Sequence, residues 1–254
     1  MGITEYNSNE FVFRPPPPVA WARRVLIKPS AGYPLPYPVT TSQGILGKVI
    51  DGIRRVSEAD ILLLEGNPNG ESIYPVYRTL RYDFSRVLML DVKDSIWVEV
   101  ENPLAHAFVA PTFWAPNVLL SSDYLITISP MKVVGNVPYL SIMNLISLLP
   151  VAKYKGDAVG GWSLLYSLGL NQAVADLYFT LPFDLGIVDA TQKLTCLVEP
   201  AQGEAQDFGK VFVGEPYELD SELARMLKTP AEYLDLIQTG RTQLECGTGE
   251  ARQG

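Results

Sequence analysis

An α/β fold with a mostly parallel sheet and helices on both faces is predicted by three observations. Short apolar, β-branched runs without clean alternation recur at Val25–Ile27, Asp60–Leu64, Arg86–Leu90, Tyr124–Ile128 and Leu185–Val188. That is how strands covered on both faces read. Stretches of helical periodicity separate most of them, the order expected of βαβ units. Polar residues follow directly after each run, where parallel strands end. Together these point to a Rossmann-like layered domain over residues 24–240, with a proline-rich arm at 1–23 and a flexible tail at 241–254.

The elements can be justified in order. Asn7, Ser8 and Asn9 are turn formers, and Pro15 to Pro18 is stiff and extended, so the arm reads as a surface strap or frayed terminus. The strand Val25–Ile27 ends in Lys28-Pro29-Ser30. Three prolines make residues 31–38 a loop. Thr41 or Ser42 caps a helix whose apolar face is Ile45, Leu46, Val49, Ile50 and Ile53. The second strand ends in Glu65 and a turn-rich stretch to Gly70. A helix is expected at Tyr74–Leu80, and a third strand at Arg86–Leu90, followed by Asp91 and Asp94. Ile96–Glu101 and Ala107–Pro111 read as an antiparallel excursion.

The central stretch, residues 119–155, reads as strand, loop and helix. Tyr124–Ile128 is the strand, and Pro130 stops it because proline cannot donate to a ladder. The loop Met131–Val137 holds Lys132 and Asn136. Pro138 opens a buried helix from Tyr139 to Leu149, closed by Pro150. Asn144 is a polar amide inside that helix and needs partners. After a basic patch at 151–155 and a break at Gly160-Gly161, helices are expected at Trp162–Leu168 and Gln172–Phe179. Asp189 closes the strand Leu185–Val188. Strands at Leu194–Val198 and Val211–Val213 follow, then helices at Tyr217–Leu227, opened by Glu215-Pro216, and from Thr229-Pro230 through Ile237.

Composition excludes several classes. Acidic residues number 28 against 20 basic ones, a net charge of −8, so neither nucleic acid nor an anionic membrane surface is an expected partner. The buried helix falls far short of the ~20 apolar residues of a membrane span. No signal peptide is visible, and a cytoplasmic location is expected. Cys196 and Cys246 lie fifty residues apart and His106 is the sole histidine. These cannot furnish an iron–sulfur cluster or a typical zinc site, so neither metal nor cofactor is expected.

In open α/β sheets ligands sit at the carboxyl ends of the strands. The residues placed there are Lys28 and Ser30, Glu65 and Asn67, Asp91 and Asp94, Lys132 and Asn136, Asp189 and Glu215; the candidate ligand set is Lys28, Ser30, Glu65, Lys132, Asn136, Asp189 and Glu215, with Asn144 close by. Two lysines beside the helix start near Pro138 could hold a small anion. Polar residues also follow strands simply because strands end at turns, so a purely structural rim is the competing reading. Glycine signatures for dinucleotides, nucleoside triphosphates or serine hydrolases are absent.

Several of these runs resemble a known family. Val25 to Ser30 resembles the "IKPN" opening of the domain of unknown function 362 family, and Val39-Thr40-Thr41 its "TT" before the first helix. Leu62 to Gly66 looks like its second strand, and Leu125 to Lys132 its "NVPKLK" strand. Leu185 to Ala190 is similar to its "IVDAI" strand. Gly214-Glu215-Pro216 with Asp220 resembles its "G-x-D-P-x-x-x-D" turn. The resemblance covers about residues 24–240. Val134 stands where the family has the histidine of "KTH", and Met143 where it has the lysine of "KN". The ferredoxin-like module that many members carry is missing. The central stretch also faintly resembles the strand–loop–helix of lactate racemase-like proteins. The resemblance implies a divergent member of a family whose function is largely undefined. The residues themselves support binding of a small anionic ligand at the strand ends. A catalytically degenerate structural or interaction protein, or a partner subunit of an iron–sulfur protein, is the alternative. Enzymatic activity and oligomeric state stay open.

Overall fold

The computed structural model describes residues 2–156, 161–198 and 202–250, with side chains as far as Cys246. The chain begins with β1 (Thr4–Asn7) and a 3-10 turn at Pro17–Trp21, then β2 (Arg24–Pro29), α1 (Gln43–Arg54), β3 (Asp60–Glu65), α2 (Tyr74–Thr79) and β4 (Val87–Asp91). A hairpin of β5 (Trp97–Glu101) and β6 (Thr112–Pro116) follows. Next come β7 (Tyr124–Val134), β8 (Val137–Tyr139), a 3-10 helix at Met143–Leu148, α3 (Val151–Tyr154), α4 (Ser163–Leu168) and α5 (Leu170–Thr180). The chain closes with β9 (Leu185–Cys196), β10 (Glu204–Gly214), α6 (Pro216–Leu227) and α7 (Glu232–Glu250).

The main sheet runs β1-β10-β9-β7-β2-β3-β4, with β8 paired to β7. Neighbours from β9 through β7, β2 and β3 to β4 are all parallel, while β10 and β1 add antiparallel edges. The sheet is therefore mixed but mostly parallel, and the strands expected at Val25, Ile61, Tyr124 and Leu185 share it. From β2 the chain first adds strands on one side (β3, β4) and then on the other (β7, β9). Such a reversal opens a crevice between the two central strands, here β2 and β7.

Side-chain alternation explains why those strands read as continuous apolar runs. Val25 and Ile27 of β2 pack with Leu46, Val49 and Ile53 of α1 on one face. Leu26 packs with Leu145 and Leu148 of the 3-10 helix and Leu177 of α5 on the other. With both faces covered, neither set of positions can be polar. The Ser42 hydroxyl caps α1 by accepting from the Ile45 amide at 3.2 Å. Among the described residues no helix is long and apolar enough to cross a membrane.

Several expectations need correction. Pro130 does not stop β7. Its β2 neighbour ends opposite Ile128, and a register shift between Pro130 and Met131 relieves the ladder with β9. The bulge takes up the missing donor, and Lys132 lies inside the strand rather than in a loop. Nor does Pro138 open a helix over Tyr139–Leu149. Gly135, at φ 61°, and Asn136 form a two-residue turn that folds Val137–Tyr139 back on β7, as a hairpin with glycine first does. What remains of the helix is the 3-10 turn at Met143–Leu148.

The second strand of the excursion is Thr112–Pro116, not Ala107–Pro111. Amides of Phe108, Val109 and Ala110 donate to the buried Asp176 carboxylate at 3.0, 2.8 and 3.0 Å, which holds that segment as a loop. Asp189 does not close its strand, because β9 continues to Cys196. The arm is part of the sheet: β1 pairs with β10, and Phe11 and Phe13 are buried in the core. The last helix runs past Ile237 to Glu250, so the tail expected from 241 is helical that far. Of the break at Gly160-Gly161, Gly160 lies outside the described residues. Gly161 sits so close to the Pro68 carbonyl that a Cβ would collide with it.

Candidate functional site

Lys28 and Glu65 stand at the carboxyl ends of adjacent parallel strands, and their charged groups meet there at the edge of the sheet. The Lys28 ammonium donates to both Glu65 carboxylate oxygens at 2.9 and 2.8 Å, to the Pro29 carbonyl at 2.7 Å and to Asn144 Oδ1 at 3.1 Å. Both residues are almost fully buried. Burial pushes the Lys28 amine below its ordinary value, while the Glu65 charge and hydrogen bond pull it back up. Glu65 also accepts from the Ala31 amide at 2.8 Å, the Gly66 amide at 2.9 Å and the Ser147 hydroxyl. Its lone pairs are taken, so it braces the strand ends and is not poised for proton transfer.

Asn144 has the partners its position demands. Besides accepting from Lys28, its amide nitrogen donates to Thr127 Oγ1 at 3.1 Å and to the carbonyls of Lys28 and Ile128 at 3.4 and 3.3 Å. It clips the 3-10 turn across the β2–β7 crevice. Gly66 makes that seat possible: a Cβ there would run into the Ser147 carbonyl. Gly66→Ala is expected to cost about 1–3 kcal/mol, as overpacking does; urea denaturation of the two proteins checks it, and an unchanged midpoint would mean the turn yields freely.

Lys132 reaches the same crevice from β7. Its ammonium donates to Ser30 Oγ at 3.1 Å and the Val39 carbonyl at 3.2 Å. Among the described residues no carboxylate lies within ion-pair distance of it. Burial, then the nearby Lys28 charge, bring its pKa down to about 8, with Glu65 and Cys196 acting in the opposite direction. Beside it Ser129 is 1% exposed, and its hydroxyl has no hydrogen-bond partner. Buried hydroxyls are seldom left so.

Lys132, Ser129, Ser30, Glu65 and Asn144 line one cavity of about 120 Å³. Leu140, Met143, Ile146 and Trp162 supply its apolar wall, and Tyr33 and Tyr166, 42% and 49% exposed, border it on the solvent side. A larger open cleft of about 770 Å³ follows the β4 edge of the sheet, from Arg24, Asp60 and Val87 at the strand starts to Tyr74, Asp91 and Asp94 at the far end of β4. It follows the outer edge of the sheet rather than the crevice between the two central strands, and Arg24 there donates to Ser121.

Of the eight residues singled out in the sequence, five converge: Lys28, Ser30, Glu65, Lys132 and Asn144. Three do not. Asn136 is exposed in the hairpin turn. Asp189 accepts from Tyr37 and Ser42 at 3.2 Å each and from the Thr191 amide at 3.0 Å. Glu215 caps α6 through the Glu218 amide at 2.9 Å and pairs with Arg241 at 3.3 Å. The helix N-terminus expected near Pro138 does not exist, so it offers the cavity no amides. Asn144, expected only to support the loop, lines the cavity itself. Sequence reasoning passed over Ser129, whose signal was a hydroxyl inside an apolar, doubly covered strand. It also gave Asp220 no part beyond a motif. That buried carboxylate accepts from the Ser141 hydroxyl and amide at 2.6 and 3.0 Å, the Ile142 amide at 2.9 Å and Tyr233 at 3.1 Å, fixing the lead-in to Met143 and Asn144. Among the described residues no three His, Cys, Asp or Glu side chains gather as a metal site would require.

The lactate racemase apoprotein from Thermoanaerobacterium thermosaccharolyticum shares the fold at a TM-score of 0.53 and 11% identity, over 87% of this chain and 53% of that one. The chain thus spans about half the length of that neighbour, and at this identity the likeness shows the fold alone. No curated protein sequence matches the chain. The family model described as a domain of unknown function (DUF362) matches residues 25–225, which take in β2 through most of α6 and every cavity residue named above. The chain belongs to the domain of unknown function 362 family.

Proposed function

We propose that the chain binds a small anion in the cavity between β2 and β7, with the Lys132 ammonium as its counter-charge. One observation carries this: a lysine amine stands in a cavity without a carboxylate partner among the described residues, beside a buried serine hydroxyl that has none either. A half-buried charge without a counter-charge is costly, and an anion here would relieve it while accepting from Ser129 and Ser30. The place supports the reading as well. The parallel strands run β9-β7-β2-β3-β4, an order that supports a doubly wound, Rossmann-like reading, in which the crevice between the two central strands takes the ligand. Lys28 adds no net charge, since Glu65 matches it. Glu65 is saturated, so the reading is of binding. An open cavity favours it over a purely structural rim.

The test is thermal unfolding of wild type and Lys132→Met with added anions at matched ionic strength. At a hundred times the dissociation constant the ligand adds about 2.7 kcal/mol. For a chain of this size that is roughly 5–10 °C. Lys132→Met should lose the shift. Equal shifts in both proteins would remove Lys132 from the site.

A further inference from the structure

We infer that the cavity is built for a monoanion, a small monocarboxylate with a short apolar body, and discriminates against dianions. This rests on the binding reading above and names its ligand class.

The first ground is charge. The side chains lining the cavity carry one positive charge, on Lys132, and one negative, on Glu65, and the latter is bonded to the Lys28 ammonium at 2.8 Å. All other lining residues are neutral. The three charges sum to a single excess positive charge. One negative charge on the ligand closes the balance. A second would lie uncompensated in a poorly solvated space, near the Glu65 carboxylate, where like charges repel strongly.

The second ground is the placement of donors. Those available to a carboxylate come from the sheet floor: Lys132 and Ser129 on β7, and Ser30 just past β2. The segment lying over that floor contributes Leu140, Met143 and Ile146, and α4 follows on from Trp162. One side can satisfy an anionic head; the other offers mostly carbon, since the Asn144 amide and the Ser147 hydroxyl that also line it already donate to Thr127 and Glu65. A tetrahedral dianion needs donors all round, and the charged donor lies on the floor alone. The volume of about 120 Å³ is well below the roughly 300–1,000 Å³ of sites for drug-sized ligands, so the apolar body is a few atoms. Lys132 keeps its proton at neutral pH, since its pKa of about 8 lies above it.

The experiment is calorimetric titration near neutral pH, at matched ionic strength, with acetate, propionate, butyrate, sulfate and succinate, on wild type, Ser129→Ala and Lys132→Met. Affinity is expected to rise by about fourfold per methylene along the monocarboxylates, from the transfer of one buried CH₂, until the cavity is full. Sulfate and succinate should bind at least about tenfold more weakly than propionate, as one uncompensated charge requires. Ser129→Ala should weaken propionate several-fold, and Lys132→Met should abolish its binding. If sulfate or succinate binds as tightly as propionate, and Lys132→Met abolishes that binding, the anion site stands and the monoanion inference is overturned. If no anion shows Lys132-dependent binding in a protein that still folds cooperatively, the binding reading itself falls.

Discussion

Glu65→Ala is expected to lose about 3–5 kcal/mol of folding stability, the cost of leaving one member of a buried ion pair without the other. The Lys28 ammonium would keep only the Pro29 carbonyl and Asn144 as acceptors. The amides of Ala31 and Gly66 and the Ser147 hydroxyl would lose theirs as well. The double variant Lys28→Met/Glu65→Gln should recover much of the loss. It removes both charges while the glutamine carbonyl still accepts from the backbone. Urea denaturation of wild type, Lys28→Met, Glu65→Gln and the double variant gives the coupling. A cost below about 1 kcal/mol for Glu65→Ala would mean that water reaches Lys28 and that the pair is not dry.

Asp220→Ala should be the next most damaging change, at about 2–4 kcal/mol. The Ser141 and Ile142 amides lose their acceptor, at roughly 1–3 kcal/mol for each buried donor left unpaired. Anion affinity should fall with it, because those two residues lead directly into the turn carrying Met143 and Asn144. The pH dependence has a definite sign. Burial raises the Asp220 carboxyl from its ordinary 3.8 to about 6, although hydrogen bonds from Ser141, Ile142 and Tyr233 oppose the rise. Between those values the folded state holds this proton more tightly than the unfolded one. The contribution of Asp220 to stability therefore grows as pH falls through about 6 and is complete below about 3.8. Wild type minus Asp220→Ala, measured by denaturation at pH values on either side of 6, should show that slope. A flat difference would place the carboxyl near its ordinary value.

The sheet was legible because doubly covered strands leave a plain mark, unbroken apolar runs such as Leu62–Leu64. The convergence of Lys28, Glu65 and Lys132 followed from it, since parallel strands bring their ends to one edge. What was not legible depended on partners distant in sequence. Nothing local says that Lys28 faces Glu65, because that pairing exists only once Ile27 lies beside Leu63. Pro130 looked like a stop because the bulge that accommodates it needs β9, which comes about sixty residues later. The hairpin was the readable miss. Gly135-Asn136 between valines is a two-residue turn signal, outweighed by the apolar run after Pro138. Asp189 and Glu215 were chosen on position, yet their charges are used by Tyr37, Ser42 and Arg241. An acidic residue at a strand end and a helix cap look alike in sequence when proline follows, as after Glu215.

The pairing of β1 with β10 sets a constraint on the order of assembly. Thr4 lies opposite Val213, so the segment that borders the sheet is made long before the strand it must join. During synthesis, residues 4–7 have no partner of their own, and the flank of β9 has no cover until β10 has formed. An uncovered strand flank can recruit the wrong chain. Phe11 and Phe13 can dock on α1 and tether the waiting segment beforehand. Once β10 is made, closure needs only the last four residues of a leash already fastened at its other end.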